Sequence, residues 1–456
     1  MSGTFSSLST ALSALRYNRV AMDVASGNVA NAGTDGYARR TVIGQATGAP
    51  AAPAMWSRWE GAGDGVEASR VDRMVDPLLD ARSRTEHATS SYLDTRAASL
   101  LRFETTLGEP GDNGIAAALA DFKTGWHDVA NNPGDPAART QLLGRAATLQ
   151  AAIAQQASSV ATEWSDQRTR LSALVDQVNQ TAGDLASLNQ ALRVANLAGT
   201  DANTLLDQRD QLTLKLAELT GAKVTVNPDT TVDITVGGQS LVSGNTATTM
   251  SLSGATDLAD QASNPVQLSL GGTPLTLNSG EIGADQTLLA KDLPGYLAGL
   301  DGFVADLVTA VNTQHAQGVD LNGAAGTAFF TGSTASTLKV AITDPDLIAA
   351  AAPGQGQLDS SNADAIGNLD LGAETYRSLV TGFGVTVASA QQLSKNQDVL
   401  TAQVDASRES LSGVSIDEEM VHLLAAQRGY EGASRVLTTV DSMLDTLINR
   451  TGLVGR

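Results

Sequence analysis

The sequence contains no cysteine, few aromatic side chains and few charges for its length. Of its 456 residues, 4% are aromatic and 17% are charged, whereas globular domains carry about 25% charged residues. Without cysteine, disulfide bonds and thiolate chemistry are excluded. The histidines fall in separate segments without the spacing of metal ligands: His87, His127, His315 and His422. We therefore expect no metal and no cofactor, in a chain long enough for about two to four domains.

Basic residues and long apolar runs are also scarce. The formal net charge is −20, and such a surface repels nucleic acid and anionic lipid because phosphate binding depends on Lys and Arg. No stretch approaches the ~20 apolar residues of a membrane span. Residues 1–13 carry no Lys or Arg and are not typical of a signal peptide. We expect a protein that binds neither nucleic acid nor membrane and does not use the general secretory route.

Helical periodicity occupies most of the chain, with a strand-like region in the middle. Helices are predicted over residues 74–107, 137–198, a segment that ends near 219, 288–314, 373–407 and 417–449. At about 1.5 Å per residue, the helix over residues 137–198 would be roughly 90 Å long. Alternation at Lys223 to Val226 and at Val232 to Val236 predicts strands. The predicted fold is mainly α, with a small β domain inserted mid-chain.

These patterns predict three structural units, two of them discontinuous. The predicted units are a terminal coiled-coil assembly domain of residues 1–72 and 408–456 with a β-like Gly-rich segment near 37–70, a long helical-bundle domain of residues 73–220 and 287–407, and a surface-facing β domain of residues 221–286. Both terminal helices need a partner, and the simplest arrangement pairs them as an antiparallel coiled coil.

Apolar residues recur at heptad spacing in both terminal segments. The N-terminal seam contains Phe5, Leu8, Leu12, Leu15, Met22 and Val29, with polar positions at Arg19 and Ser26. The C-terminal helix has two adjacent seams, one of Met420, Leu423, Tyr430, Leu437, Leu444 and Ile448, the other of Val436, Val440, Met443 and Leu447.

The energies of these seams predict that the ends depend on partners. Burial of the six N-terminal seam residues contributes very roughly 12 kcal/mol. Fixing about 25 backbone residues costs ~1–2 kcal/mol each before helix hydrogen bonds offset part of it. An isolated helix is therefore marginal, and the C-terminal apolar face is wide enough for more than one neighbour. We expect the ends to become fully ordered only when neighbouring subunits cover them.

No group of residues supports catalysis. The run Asp207-Gln208-Arg209-Asp210 lies on a helix, where adjacent side chains diverge, so ion pairs or hydrogen bonds with a neighbouring helix are expected. Asp320-Leu321-Asn322-Gly323 lacks the further ligands of a calcium loop, which favours a tight turn. No phosphate-binding loop and no nucleophile beside a base is present. We predict that the chain is not an enzyme.

Several motifs resemble flagellar axial proteins. Asn28-Val29-Ala30-Asn31 with Thr34, Gly36, Tyr37 and Arg39 resembles the N-terminal signature of rod, hook and junction proteins, although Asp35 stands where Pro is usual. Gly63 to Val66 with Arg73, Asp76 and Leu79 is similar to the next shared block. Four further stretches resemble the flagellar hook-associated protein 1 family in order and spacing: Phe122 with Trp126, Asn132-Pro133 and Arg139; Asn203 with LLDQRD; Val311 to His315 with Gly318, Asp320, Asn322-Gly323 and Phe329-Phe330; and Ser412-Gly413-Val414 with Glu418-Glu419, Gln427, Tyr430 and Arg435. The resemblance covers nearly the whole chain except about residues 237–280.

The resemblance implies a structural junction subunit between the hook and the filament of a bacterial flagellum. Such a subunit is exported unfolded by the flagellar type III apparatus, lies outside the cell and assembles as a helical ring stack. The implied partners are other copies, the hook protein, the second hook–filament junction protein and a cytosolic export chaperone. The expected assembly interface comprises Phe5, Leu8, Leu12, Leu15, Met22, Asn28, Asn31, Met420, Leu423, Gln427, Tyr430, Leu437, Leu444 and Ile448. The expected chaperone contact comprises Leu437, Val440, Met443 and Leu447.

Two alternative functions remain. Another flagellar axial role, as hook, rod or flagellin-like subunit, is disfavoured by the LLDQRD and VNTQH blocks. A secreted adhesin would need an exposed aromatic or charged patch on the β insert, but residues 237–280 contain no aromatic residue.

Overall fold

Helices dominate the computed structural model, which describes residues 2–47, 65–109, 111–112, 114–446 and 448, with side chains from residue 7 onward. The helices are α1 (Ser2–Ala30), α2 (Pro77–Leu107), α3 (Ile115–Asn131), α4 (Pro136–Ala198), α5 (Asn203–Thr220), α6 (Gly280–Thr287), α7 (Leu293–His315), α8 (Ser361–Gly367), α9 (Ala373–Ser412) and α10 (Ile416–Asp445). A π-helical turn, Leu288–Asp292, joins α6 to α7. The helix predicted from residue 288 therefore begins earlier, at Gly280, and α8 was not predicted.

The strands are short and antiparallel. They are β1 (Arg40–Thr47), β2 (Gly65–Arg73), β3 (Lys223–Val226), β4 (Val232–Val236), β5 (Gln239–Ser243), β6 (Thr246–Ala247), β7 (Met250–Ser253), β8 (Gln267–Leu270), β9 (Thr273–Leu275), β10 (Phe330–Thr331) and β11 (Lys339–Val340). Strands β3 to β6 form a four-stranded sheet in sequence order, and β7 to β9 form a three-stranded sheet. The predicted fold class, mainly α with a β insert and paired terminal helices, is confirmed.

The 63-residue helix α4 is the longest element, and its ends have clear local causes. Asp135 caps the start by accepting a 2.9 Å hydrogen bond from the backbone N–H of Ala137. Pro136 occupies the first helical position, where its missing N–H costs nothing. Gly199 ends the helix with a φ of +64°, a left-handed conformation that glycine adopts without strain.

The apolar stripe of α4 is buried along most of its length. The heptad-spaced residues Trp164, Leu171, Val178, Leu185 and Leu192 of α4 are fully inaccessible to solvent. The Trp164 indole Nε1 also donates a 3.0 Å hydrogen bond to the Leu289 carbonyl in the π-helical turn. This stripe is the core of the chain's own helical bundle, as expected for an apolar helix face.

The strands of the β insert share this core rather than forming a separate one. The Asn189 side chain on α4 donates to the Val232 carbonyl at 2.8 Å and accepts from the Val232 N–H at 3.0 Å. Asn179 makes the same pair of bonds with Met250, at 2.9 and 2.7 Å. Two amide side chains of one helix thus hold the starts of β4 and β7.

The hairpin of β1 and β2 connects the terminal helices to the bundle. Its register pairs Arg40 with Arg73 and Thr47 with Gly65, with an irregularity after Ile43. Within the predicted terminal unit, residues 48–64 fall outside the described residues. The boundaries predicted for the three units remain predictions.

Candidate assembly interface

The first and last helices pack against each other as an antiparallel pair. Asn28, near the end of α1, lies against Glu419, near the start of α10. A Cβ atom on Gly429 would overlap the side-chain amide of Asn18, so the two backbones are close at this crossing. The buried apolar residues of the two helices are Ala11 and Ala25 on α1 and Ala426, Ala433 and Val440 on α10. Small side chains at seven-residue spacing allow this close approach.

The predicted seam residues are divided between half-buried and exposed positions. Leu8, Leu15, Met22 and Val29 on α1, and Leu423, Leu437 and Leu444 on α10, are half-buried. Leu12, Arg19 and Ser26 on α1, and Met420, Gln427 and Tyr430 on α10, are exposed, and in each case the preceding residue is more buried. The contact within the chain therefore lies along adjacent, mostly smaller residues, and the predicted contacts of the seams with other subunits remain a prediction. The Phe5 side chain falls outside the described residues.

The second predicted seam of α10 is divided between the interior and the surface. Val440 is buried, whereas Val436 is 48% exposed and Met443 is 53% exposed. Leu447 falls outside the described residues. Of the other predicted interface residues, Asn28 is buried, Asn31 is half-buried, and Tyr430 and Ile448 are exposed.

Several apolar side chains of α10 are exposed to solvent. We call this set the exposed α10 face: Ile416, Met420, Val421, Leu424, Val436 and Met443, each 44% to 65% exposed. Grouped apolar exposure on one helix is typical of a surface that another protein covers. The role of these residues in assembly remains a prediction.

Asn28 is the centre of a buried hydrogen-bond network between the terminal helices and β1. Its amide Nδ2 donates to the Arg40 carbonyl at 2.8 Å and to the Glu419 carboxylate at 2.9 Å. Its Oδ1 accepts from the Tyr37 hydroxyl at 2.8 Å and from the Arg40 N–H at 3.0 Å. Burial raises the pKa of the Tyr37 phenol, which keeps it a donor. All four hydrogen-bonding capacities of the amide are used.

Glu419 closes the network from the C-terminal side. Its carboxylate is 3% exposed and accepts a 2.8 Å hydrogen bond from Arg39 Nε. Arg39 also lies 3.4 Å from the Glu418 carboxylate. The backbone N–H of Arg39 donates to the Ser412 carbonyl at 2.9 Å. Residues from both ends of the chain are thus fixed in one geometry.

Two arginines of the hairpin attach it to α5. Arg40 Nη2 lies 3.1 Å from an Asp207 oxygen, and Arg73 Nη2 lies 2.6 Å from Asp210. Arg73 Nε is 2.7 Å from the other Asp207 oxygen, as an ion pair without hydrogen-bond alignment. The ion pairs predicted for this acidic run are present, but most of their partners come from strands rather than from a neighbouring helix.

A polar cleft of about 650 Å³ separates the loop after α1 from the bundle. His87 on α2 lines it, with its ring 3.4 Å from Glu218 on α5 and 3.0 Å from Asp405 on α9. Hydrogen bonding to Glu218 is the main cause that raises the pKa of His87. This pairing connects three bundle helices next to the terminal loop.

The other sequence candidates have structural roles. His315 is buried, and its Nδ1 donates to the Thr327 carbonyl at 2.7 Å while Nε2 accepts from the Ala349 N–H at 2.9 Å. Asp320 accepts from the backbone N–H groups of Asn322 and Ala324, both at 2.8 Å, which forms the predicted tight turn.

Two kinds of feature are absent from the described part of the chain. Among the described residues, no group of three or more His, Asp or Glu side chains could hold a metal ion. No described helix combines the length and apolarity needed to cross a bilayer.

Sequence reasoning missed two features of this interface. The contact between Asn28 and Glu419 joins residues 391 positions apart, and periodicity carries no information about such pairs. The alanine seam did have a signal, because Ala426, Ala433 and Val440 repeat every seven residues.

Profiles of known families match three parts of the chain. The flagellar hook-associated protein FlgK helical domain matches residues 100–330. The flagella basal body rod protein profile matches residues 8–37, and the C-terminal profile of flagellar basal body rod FlgEFG proteins matches residues 408–450. The two rod profiles thus cover the helices that pair at the interface.

Curated relatives match over the whole length. Flagellar hook-associated protein 1 of Bacillus subtilis (strain 168) is 29% identical over 509 aligned residues, covering 100% of both chains. The protein of the same name from Escherichia coli (strain K12) is 27% identical, covering 97% of this chain and 99% of its own. Among solved structures, the flagellar hook junction protein FlgK from Burkholderia pseudomallei superposes with a TM-score of 0.64 at 16% identity, covering 74% of this chain and 100% of its own, which shows a common fold.

Proposed function

The chain belongs to the flagellar hook-associated protein FlgK family, and on this premise we propose that it is a structural junction subunit connecting the hook of a bacterial flagellum to its filament. The observation that carries this proposal is the terminal helix pair. It buries a seam of small residues and leaves the exposed α10 face uncovered. Each large apolar side chain of that face gains about 1.5–3 kcal/mol when it is fully buried, which favours association with further subunits.

The proposed assembly uses three layers. Residues 1–72 and 408–456 would form an inner tube, residues 73–220 and 287–407 would form the surrounding shell, and residues 221–286 would face outward. The Asn28 and Arg73 networks support this arrangement because they fix the terminal pair relative to the bundle. Because the terminal helices are held in a fixed position relative to the bundle, contacts made by the inner tube would set the position of the surrounding shell.

The proposed partners follow from the two kinds of surface on α10. Other copies, the hook protein and the second junction protein would cover Met420, Leu424 and Tyr430, which are exposed. A cytosolic export chaperone would contact Leu437, Val440, Met443 and Leu447 before export through the flagellar type III apparatus. Because Val440 is buried within the folded chain, the chaperone would bind a chain whose terminal helices are still separate.

The proposal assigns no catalytic activity to the chain, whose relatives carry the names of structural flagellar proteins. It places the mature protein outside the cell, at the hook–filament junction. The helical-domain match over residues 100–330 favours the junction role over a rod or hook role, since the rod profiles are confined to the two ends.

A complementation experiment tests the proposal. Cells that lack the gene should form hooks without filaments and release flagellin into the medium, as seen by electron microscopy and immunoblotting. Wild-type protein and Leu197→Asp should restore filaments, because Leu197 is an exposed residue of α4 remote from the terminal helices. Leu424→Asp should be secreted but should not restore them. Normal filaments with Leu424→Asp, or in the cells without the gene, would contradict the proposal.

A further inference from the structure

A cluster of charged and polar side chains lies between α2, α4 and α6. Its carboxyl and amide groups are buried or half-buried, whereas its two arginine side chains reach solvent. Its members are Ser99 and Arg102 on α2, Glu163, Gln167 and Arg170 on α4, and Glu281 and Asp285 on α6. Asp285 is 0% exposed and Gln167 is 1% exposed. Burial of an ionised carboxylate costs much free energy unless a nearby cation and several hydrogen bonds offset it.

The described cations of the cluster do not balance its carboxylates. Arg102 is committed to Glu163, with distances of 2.6 and 3.3 Å to its two oxygens. Arg170 therefore serves both Glu281, at 3.0 Å, and Asp285, at 3.4 Å. Two guanidinium groups face three carboxyl groups. Asp285, the most buried of the three, has the longest contact.

The unpaired atoms of the cluster show what it lacks. The Asp285 Oδ2 and the Gln167 Oε1 are both buried without a hydrogen-bond partner among the described residues. The Gln167 Nε2 is already used, donating to Ser99 Oγ at 3.0 Å and to Glu163 Oε1 at 2.8 Å. Both unpaired atoms are acceptors, so the missing component is a hydrogen-bond donor.

We propose that Asp285 is a buried proton-binding site: its carboxyl group is neutral in the packed bundle at mildly acidic pH, and the bound proton supplies both the missing positive charge and a missing donor. The groups that face it are Arg102 from α2, Glu163 and Arg170 from α4, and Glu281 from α6 itself. With the proton in place, two carboxylates remain for two guanidinium groups. The neutral carboxyl then carries one O–H donor in a cluster whose unpaired atoms are acceptors.

Electrostatics agree with this assignment. Burial raises the pKa of Asp285 to about 7, the arginines lower it in part, and Glu281 and Glu163 raise it further. An unfolded chain releases this proton at the ordinary aspartate pKa of about 3.9. Because the folded state holds the proton more tightly, stability decreases as the pH rises from about 4 through about 7.

The position of α6 links the protonation state of Asp285 to the way the β insert is attached. The helix begins at Gly280, which has a φ of +73° and packs against the backbone of Leu219 and Thr220 at the end of α5. It follows the last strand of the β insert and leads into the π-helical turn. Ionisation of Asp285 therefore loosens the contact through which the β insert is joined to the long helices.

Urea unfolding of the full chain at two pH values tests the proposal. For Asp285 alone, the unfolding equilibrium constant should increase roughly thirtyfold between about pH 5.5 and about pH 8.5. Asp285→Asn keeps the shape and the neutral charge, so it should remove this component of the pH dependence. Asp184→Asn, which replaces an exposed carboxylate of α4, should retain it. An equal pH dependence in the wild type and Asp285→Asn would overturn the proposal.

A second measurement does not depend on the variants. In protein with carbon-13-labelled aspartate carboxyl groups, one buried resonance should titrate near neutral pH, and Asp285→Asn assigns it where that variant folds. If every aspartate carboxyl is ionised at about pH 5.5, a water molecule or a cation satisfies the acceptors instead, and the proposal is wrong.

Discussion

Helices α4 and α10 both carry heptad patterns, but they bury different parts of them. On α4, large residues such as Trp164 and Leu171 are fully buried within the chain. On α10, the buried apolar positions are Ala426, Ala433 and Val440, whereas the larger residues Leu424 and Met443 are exposed. The bundle therefore satisfies its own apolar pattern. The terminal pair leaves part of its pattern for another molecule.

The difference shows what a heptad repeat does and does not determine. Spacing predicts that a helix has an apolar face, but the sizes of neighbouring residues decide which edge of that face lies inside. In the terminal pair, the close crossing of Asn18 and Gly429 requires small residues at the centre. Large side chains are then displaced to the flanks, where further subunits can reach them.

The largest expected contrast is between core and seam truncations. Trp164→Ala should lower the free energy of unfolding by about 3–5 kcal/mol, because it leaves a cavity at a fully buried position and removes the hydrogen bond to Leu289. Leu12→Ala, at a 42% exposed seam position, should cost less than about 1 kcal/mol. Urea denaturation of the monomer measures both. Equal losses would show that the terminal helix is packed as fully as the bundle.

The next contrast is between the two asparagines of the Asn28-Val29-Ala30-Asn31 motif. Asn28→Ala should cost about 2–4 kcal/mol, since Glu419 and Tyr37 lose buried partners. Asn31→Ala removes a bond to the Gly27 carbonyl of its own helix and an exposed 3.4 Å bond from the Thr34 hydroxyl, and it should cost less than about 1 kcal/mol. Thermal unfolding followed by far-ultraviolet circular dichroism compares the two variants. A reversed order would contradict the central role of Asn28.

A smaller effect is the dependence of stability on pH that His87 causes. The pKa of His87 is raised by Glu218 and Asp405, so its stabilising charge is fully present below about pH 6.5 and is lost as the pH rises through the folded pKa. His87→Gln should therefore destabilise the protein at low pH, by less than about 1 kcal/mol, and have little effect at high pH. Chemical denaturation across this range measures the difference.

His315 provides the opposite sign within the bundle. Burial lowers its pKa, so the stability that depends on the neutral ring is lost as the pH falls below about 6.5.

The outcome that would contradict the His87 prediction is a His87→Gln protein whose stability depends on pH in the same way as that of the wild type. The pairing of His87 with Glu218 and Asp405 would then contribute nothing to stability.

The smallest expected effect is that of a substitution on the exposed α10 face on the stability of the monomer. Leu424→Asp should change the free energy of unfolding by less than about 0.5 kcal/mol, as should Leu197→Asp, because both side chains are exposed. The chemical denaturation curves of the two variants should coincide with that of the wild type. A large loss for Leu424→Asp would mean that the chain itself covers this residue.

Much of the fold could be predicted from the sequence. The strands at Lys223–Val226 and Val232–Val236 and the end of α4 at Ala198 agree with the structure, because turn residues and a change of period mark them locally. The start of α6 at Gly280 was missed, since glycine at a helix start gives no helical signal. Its left-handed φ is set by contact with α5, which no local pattern encodes.

The candidate site was predicted less completely than the fold. The residue types that connect the terminal helices to the bundle could be recognised from motifs, but the pairing of these residues could not. Arg40 and Arg73 meet Asp207 only because a hairpin, a long helix and a tight turn bring them together. The small residues Ala426 and Ala433 at the centre of the terminal contact were also missed, because apolar size was taken as the guide where close packing decided which residues are buried.

Amide hydrogen exchange tests the central claim most directly, namely that the terminal helices are completed by other subunits. In the monomer, residues 7–29 of α1 and 420–445 of α10 should exchange much faster than residues 150–190 of α4, and they should become as protected as α4 in assembled junctions. Strong protection of the terminal helices in the monomer, equal to that of α4, would contradict the account.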